Sequence, residues 1–542
     1  MDTETAPTTD HVSDERTLPS WGLVVLAGVV SVVVLSPLAW MVYAGLRVVG
    51  AGGAGAILLR PRTLRIVLNS LVLTASVTAA SILIGVPLAY LTVRTDLPFR
   101  RLFTVALAMP LVIPSYIGAF AFASAFAPRG EVQSLLAPLG VESIPGIYGL
   151  GGAVLVITLY TYPYVFITTR AALKSLDTTL VEAARTLRHT RLQAFRRVTL
   201  PQIRPAVTAG ALLVALYALS DFGTPAILRY DVFTRAIYVE FNSFGRDTAA
   251  LLSVVLVLVT VAILAVERRS SGGERVSSTR GHTGSDARVR LGRWRWVAVV
   301  PCLLVAGLAL VVPLAVLGLW LVRTSGAASL RFGLEHVLNS VGVAAGAAVV
   351  AALVALPVAH LSARDGGTLP TVFERASYVG YAVPGIVVGI ALVFLGSQTP
   401  LVNSLYGSAA LAFPLLLFAY VVRFLPQAVG STRASILRVS PALPEAARSL
   451  GRSPLGAFRS VTLPLIAPGQ IGGAALVFLT TMKELPATLM LRPAGFETLV
   501  TFVWRAERSA AYGSAAVPAL TLLAVSAVSM LVILSMEGYH VE

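Results

Sequence analysis

Charge is what this sequence lacks most. Only 13% of its 542 residues are Asp, Glu, Lys or Arg, about half the share of an ordinary soluble domain. That scarcity excludes a string of water-soluble domains. Hydrophobic residues make up 56% of the chain and the mean hydropathy is +0.81. Apolar runs of the roughly 20 residues needed to cross a bilayer recur from end to end. Cysteine is nearly absent as well. The single Cys302 lies inside an apolar run, so it supports neither an intrachain disulfide nor a thiolate metal site, and it reads as a small buried apolar side chain. Lysine is almost missing: Lys174 and Lys483 are the only two, and neither follows a Gly-x-x-x-x-Gly-Lys-[Ser/Thr] phosphate loop. A nucleotide site of that kind is therefore excluded. Residues 1–20 are polar and acidic (Asp2, Glu4, Asp10, Asp14, Glu15), and the run from Trp21 to Leu46 is too long for a leader's apolar stretch. That run is expected to be a retained transmembrane helix.

What is present is arginine, and it sits between the apolar runs. The formal charge is +16 and the pI about 10.4. In a soluble protein this would suggest nucleic acid. Here no basic region has a soluble domain around it, and the positive-inside rule accounts for the placement, so no nucleic-acid partner is expected. Candidate spans are 21–46, 66–93, 103–126, 148–169, 203–222 and 248–266, then 296–322, 337–362, 376–396, 409–429, 467–482 and 516–536. Arg94, Arg100 and Arg101 follow the second span, and Arg170, Lys174, Arg185, Arg191, Arg196 and Arg197 are among those around the loop after the fourth. The loop after the third holds only Arg129. Both termini are therefore expected in the cytoplasm, although Arg47, Arg60, Arg62 and Arg65 run against the rule. The fold class is all-α, a polytopic membrane protein of about twelve helices.

The two halves repeat each other. Val67-Leu68-Asn69-Ser70 recurs 270 residues later as Val337-Leu338-Asn339-Ser340, and Pro87 and Pro114 recur at the same shift as Pro357 and Pro384. Further along, Glu182-Ala183-Ala184-Arg185 recurs 263 residues later as Glu445-Ala446-Ala447-Arg448. The repeats run in the same direction, so a pseudo-two-fold axis along the membrane normal is expected, with a path between the halves. The expected units are a tail at 1–20, a first membrane domain at 21–266 with a cytoplasmic loop at 176–202, a linker rich in Ser, Gly and Arg at 267–293, and a second membrane domain at 294–537 with its loop at 439–465.

Each of those loops carries the same spaced pattern. The first reads Glu182-Ala183-Ala184-Arg185-Thr186-Leu187-Arg188, then nine residues, then Val198-Thr199-Leu200-Pro201. The second reads Glu445-Ala446-Ala447-Arg448-Ser449-Leu450-Gly451, then nine residues, then Val461-Thr462-Leu463-Pro464. Small alanines suit a short helix that a partner can approach closely. Leu192, Phe195 and Val198, repeated as Leu455, Phe458 and Val461, recur at helical spacing and form an apolar stripe. Pro201 and Pro464 are expected in the first turn of the next span. One difference between the repeats matters: Gly451 stands where the first loop has Arg188. A turn with positive φ suits Gly and strains a larger residue, so either the first loop turns differently or Arg188 is strained.

This pattern resembles the coupling loop of ABC importer permeases. The resemblance implies two fused type I permease domains working by alternating access. It implies that Glu182, Ala183, Ala184, Arg188, Leu200, Pro201, Glu445, Ala446, Ala447, Gly451, Leu463 and Pro464 belong to elements docking on two copies of a separate ATPase subunit. It further implies ATP and Mg on that partner, no cofactor on this chain, and an extracytoplasmic solute-binding protein. Two more stretches, Leu219-Ser220-Asp221-Phe222-Gly223-Thr224-Pro225 and Lys483-Glu484-Leu485-Pro486-Ala487-Thr488-Leu489-Met490-Leu491-Arg492-Pro493 with Phe496-Glu497-Thr498-Leu499 after it, look like the fused permeases of ferric-iron importers. Permeases for thiamine, 2-aminoethylphosphonate and other small solutes share that architecture.

Asp221 and Glu484 occupy equivalent repeat positions near span ends. An ionisable group there is costly and marks a functional candidate. Oxygen ligands suit hard cations, so a gate or cation-guiding role is one reading; capping of helix ends, or pairing with Lys483 and Arg229, is the other. Asn69 and Asn339 are expected to hydrogen-bond between helices. Tyr160, Tyr162 and Tyr164 read as an interfacial aromatic belt, and His360, matched by Tyr90, is not read as a ligand. The rivals are an ion-coupled secondary transporter, which also repeats its halves, and a membrane scaffold. Neither requires twin cytoplasmic docking loops. A protein resting on the lipid surface by these loops does not require them either.

Overall fold

Chain without water around it must satisfy its backbone internally, and helices do so within one segment. A computed structural model describes residues 21–50, 52–128, 130–176, 184, 186–187, 190–271, 289–323, 330–364, 367–398 and 409–536. Among them no strand occurs; the one isolated bridge joins Thr95 to Val289. Among the described residues ten helical stretches are long and apolar enough to cross a membrane. In the first half the main helices are α1 (Trp21–Gly50), α2 (Pro61–Arg94), α3 (Arg100–Ala108), α4 (Ser115–Ala125), α5 (Leu150–Ser175), α6 (Leu200–Ser220), α7 (Gly223–Ile227), α8 (Phe233–Asn242) and α9 (Arg246–Ser271). In the second they are α10 (Arg295–Ala306), α11 (Val312–Arg323), α12 (Leu334–Arg364), α13 (Thr368–Ala382), α14 (Gly385–Gln398), α15 (Ala409–Arg438), α16 (Ala442–Ser449), α17 (Leu463–Met482), α18 (Pro486–Leu491), α19 (Leu499–Arg508) and α20 (Tyr512–Met536). The outward face of α1 leaves Trp21, Val25, Val29, Val32 and Leu46 exposed. An apolar surface of that kind suits lipid, whereas water penalises it.

Two of the spans read from the sequence are broken. The runs at 103–126 and 376–396 each fold as a pair of helices, bent by 93° between Val112 and Ser115 and by 100° between Tyr381 and Gly385. The break falls where the repeat places Pro114 and Pro384. A residue before proline is pushed out of the helical region, and Ile113 (ψ 124°) and Val383 (ψ 126°) are both extended. Hydropathy sees only the apolar length, so it joins the two pieces.

The centre of each half is a three-helix packing of α2, α5 and α6, repeated as α12, α15 and α17. Gly210 of α6 and Gly473 of α17 share the repeat position. A Cβ on Gly210 would lie 2.8 Å from the Val165 Cα, and one on Gly473 3.2 Å from the Ala428 Cα. Only a hydrogen allows backbones that close, the packing rule for membrane helices. The first span of each half crosses over: α1 packs against α12, α13 and α14, while α10 and α11 lie against α3 and α4. Cys302, on α10, is fully buried in that crossing, in one apolar cluster with Leu88, Phe103 and Phe166.

Asn69 and Asn339 do not bridge helix to helix as expected. Their amides donate to the carbonyls of Asp231 (2.9 Å) and Glu497 (2.9 Å), in the segments before α8 and α19. The adjacent serines finish the job. Ser70 accepts from the Phe233 N–H (3.0 Å) and Ser340 from the Leu499 N–H (2.7 Å), each at the first residue of its helix. The Asn-Ser pair thus satisfies backbone groups that helix starts and chain breaks leave open. Ser340→Ala orphans a buried donor and is expected to cost about 1–3 kcal/mol, read as a lower unfolding temperature in detergent, with Ser70→Ala behaving alike. An unchanged midpoint for both would show that those N–H groups are satisfied elsewhere.

Candidate functional site

The second loop is described throughout and shows how the pattern folds. α16 carries Glu445, Ala446 and Ala447, ends at Ser449, and is followed after Leu450 by Gly451, whose φ is +84°. Gly451 N–H donates to Arg448 O (3.0 Å) and Arg452 N–H to Ala447 O (3.1 Å), the paired bonds of a Schellman helix end. The positive φ expected at this glycine is present. Ser453 then caps the next turn, accepting from Gly456 N–H (3.1 Å). In the first loop Glu182, Ala183, Arg185 and Arg188 lie outside the described residues, so the contrast of Arg188 with Gly451 has no structural counterpart here. Ala184 is described and buried. Downstream, Thr190 and Gln193 exchange bonds, Gln193 N–H to Thr190 Oγ1 (3.3 Å) and Thr190 N–H to Gln193 Oε1 (2.9 Å), a reciprocal capping box.

Pro201 and Pro464 do sit in the first α-turn of α6 and α17, but that turn is not where the helix begins. A π-turn precedes each, Phe195–Thr199 and Phe458–Thr462, and the loop's last helix runs through it into the span. π-turns mark functional joints more often than chance. Each is gripped by an aromatic edge from the other side. Tyr90 meets Phe195 at 5.3 Å and 82°, and His360 meets Phe458 at 5.6 Å and 84°. The start of each loop is held by the same helices. Arg94 donates to Leu173 O (2.6 Å) and Leu176 O (3.2 Å), and Arg364 donates to Val439 O (3.1 Å). The lower ends of α2 and α12 therefore hold both the beginning and the end of a loop. These four residues were missed by motif reading. The signal was available, since Tyr90 with His360 and Arg94 with Arg364 keep the 270-residue shift.

The second loop also presents an uncovered apolar surface. Leu450 is 85% exposed, Leu455 58% and Leu443 48%, and Glu445 and Ala446 are exposed beside them. Phe458 and Val461 are half-buried, so the stripe read from the sequence turns one end inward.

Between the halves lies a cavity of about 150 Å³, lined among others by Ser115, Tyr160, Tyr217, Asp221, Arg423 and Glu484. Asp221 and Glu484 thus share one chamber. Each caps a short helix: Gly223 N–H donates to Asp221 Oδ1 (3.1 Å) and Ala487 N–H to Glu484 Oε1 (3.1 Å). Asp221 also accepts from Ser115 Oγ (2.9 Å). Glu484 is ion-paired with Arg423, while Lys483 donates to the carbonyl of Leu111 across the halves (3.0 Å). Helix capping was one of the two sequence readings; the expected pairing with Lys483 or Arg229 gives way to Arg423. Gly385, the residue after the bend, leaves the space that the Arg423–Glu484 pair occupies. Arg423 carried no sequence signal, because its repeat position in the first half is Tyr160. On the side away from the loops, the Phe222 ring lies tilted 4.8 Å from Tyr238 and 5.2 Å from Trp504, and the Trp504 contact joins the two halves there. Among the described residues no group of three His, Cys, Asp or Glu side chains is placed to hold a metal ion.

The tyrosines are not a belt. Tyr160 and Tyr162 are buried, and Tyr160 and Tyr164 line the cavity. Tyr162 donates to Leu107 O (2.8 Å). α5 is covered on most sides by α2, α4 and α6, so tyrosines at alternating positions, which point to different sides of a helix, all meet the bundle, and the Tyr162 phenol finds a backbone acceptor there.

Comparison with known proteins follows this geometry. Over 491 residues the chain is 31% identical to the "Fe(3+)-transport system permease protein FbpB 2" of Haemophilus influenzae, covering 89% of this chain and 91% of that one. It is 27% identical to the "Probable ABC transporter permease protein y4fN" of Sinorhizobium fredii, with 95% of each chain covered. A shorter match, 27% identity over 33% of this chain and 66% of the relative, is to the "Sulfate transport system permease protein CysT" of Salmonella typhimurium. Residues 81–268 and 352–539 each match the same family, and with both halves matched the chain belongs to the binding-protein-dependent transport system inner membrane components, as an all-α permease with that domain twice.

Proposed function

We propose that this permease carries ferric iron inward, with two copies of a separate ATPase subunit seated on the loops around Glu182–Ala184 and Glu445–Ala447. ATP and Mg belong to that partner. A solute-binding protein delivers cargo on the opposite face, and both termini lie in the cytoplasm. The observation that carries the docking reading is the exposed apolar surface of Leu443, Leu450 and Leu455 beside Glu445. Ferric iron is supported by the similarity to the Haemophilus influenzae iron permease along most of both chains. Asp221 and Glu484 are read as gate residues, since they stand in the chamber between the halves and hold the short helices that border it.

In this reading the ATPase pair closes, the loops move with it, and the tilt passes through α2 and α12 to the chamber. A second reading keeps the mechanism and changes the cargo to another small solute, and the match to the sulfate permease favours it over one third of the chain. Glu182→Ala combined with Glu445→Ala is expected to abolish co-purification of the ATPase while the permease remains monodisperse. Retained co-purification and transport would sink the docking assignment. A transport panel of ferric iron, thiamine, phosphonate and sulfate, each with its binding protein, decides the cargo.

A further inference from the structure

The mount of the first loop includes a short segment that enters the other half. α2 ends at Arg94, and the last carbonyls of a helix have no partner within it. The Arg94 carbonyl accepts instead from the N–H of Val289, just before the second half begins (2.8 Å). The chain continues extended, with Thr95 at φ −124° and ψ 166°. Asp96 N–H then donates back to the Val289 carbonyl (3.2 Å), and Asp96 Oδ1 accepts from the Leu291 N–H (2.7 Å). Three hydrogen bonds thus pin residues 289–291 to residues 94–96. So short a pairing does not hold in water by itself, and here packing supports it. Thr95 is 1% exposed and Leu97 3%. Gly292, at φ +59°, opens the turn that leads into α10. Val299 and Cys302 of α10 then lie in one apolar cluster with Leu97 and Leu173.

Arg94 is where this clip meets the loop. Its carbonyl is held by Val289, while its guanidinium holds the carbonyls of Leu173 and Leu176 at the loop's start. Leu173 is joined to the second half as well, through its side chain in the cluster with Val299 and Cys302. The segment at 289–291 and the first span of the second half therefore bear on the same few atoms that fix where the first loop leaves α5. The repeat does not copy this arrangement. Arg364 keeps the place of Arg94, but Gly366 stands at the place of Asp96, so the second mount lacks the carboxylate.

We propose that Asp96 is a positioning residue for the first loop, and that residues 289–291 form a strut through which the first span of the second half acts on the loop of the first. The inference rests on the docking reading above, in which that loop seats an ATPase subunit. The test uses the full chain with its ATPase and follows hydrogen exchange with and without a non-hydrolysable ATP analogue, so it needs no cargo. In the wild type the amides of 289–291 are expected to exchange slowly, and their rates to shift with nucleotide together with those of the loop at 190–199. In Asp96→Ala, monodisperse and still bound to the ATPase, exchange at 289–291 is expected to rise about tenfold, the scale of one hydrogen bond to a charged group. The nucleotide response at 190–199 is expected to shrink with it. Asp96→Asn keeps an oxygen acceptor and is expected to restore both. Leu291→Pro lacks the donor and is expected to match Asp96→Ala, with the double variant no worse than either, as for two partners of one contact. Fast exchange at 289–291 in the wild type overturns the inference, and so does slow exchange there that ignores nucleotide while the loop responds. These two outcomes are read even where a variant fails to fold. A full loop response in both Asp96→Ala and Leu291→Pro overturns it too, and leaves the docking reading standing. A wild-type permease that holds no ATPase overturns the docking reading, and the inference with it.

Discussion

Arg423→Met is expected to be the most damaging single change in the chamber. It leaves Glu484, 6% exposed, as a buried carboxylate with its ion pair gone. Removing one partner of a buried pair costs about 3–5 kcal/mol, a large part of the 5–15 kcal/mol that holds a typical domain. The expected result is a lower unfolding temperature in detergent and loss of transport. Replacing both members, Arg423→Met with Glu484→Gln, removes the orphaned charge and is expected to recover most of the stability, because neutral replacement of a buried pair is often tolerated. It is not expected to recover transport if the pair also gates the chamber. A double variant as unstable as the single one would show that the arginine acts through packing on Phe424, 5.3 Å from its guanidinium, and not through the pair.

Phe458→Ala together with Phe195→Ala is expected to separate ATP hydrolysis from transport. Each ring lies in a π-turn and is met edge-on by Tyr90 or His360. Such a contact is worth about 0.5–1.5 kcal/mol beyond area, and it joins the loop's exit to the helix that also holds the loop's start through Arg94 or Arg364. Loosening both joints lets the ATPase cycle without moving the spans. The measurement is solute carried per ATP hydrolysed, expected to fall about tenfold, which corresponds to about 1.4 kcal/mol. Phe→Tyr at both positions keeps the edge contact and is expected to keep the ratio. An unchanged ratio in the alanine variant would remove the joint from the mechanism.

Arg94 and His360 show why the site was only half legible. The loop motif is local: its residues are close in sequence, so spacing alone reveals them. The groups that hold the loop come from α2 and α12, about eighty to one hundred residues earlier in the chain, and only the repeat shift of Tyr90 with His360 and Arg94 with Arg364, not any local pattern, singles them out. The broken spans failed for a related reason. A proline inside an apolar run is compatible with a kinked but continuous helix, and only the folded chain shows that Pro114 and Pro384 stand at bends of 93° and 100°. The tyrosines of α5 read as an interfacial belt because composition carries no direction around the helix axis.

Membrane class, the two-fold repeat, the helix-turn-helix of the second loop and the positive φ at Gly451 were determined by the sequence itself. Each rests on local chemistry: apolar length, repeated spacing, and a glycine where a side chain would strain the backbone. The tertiary structure decided which side chains meet. It placed Arg423 on Glu484, Lys483 on Leu111, and the first span of each half against the other half. These contacts join residues tens to hundreds of positions apart, and their energy comes from desolvation and close packing, which a linear sequence does not display.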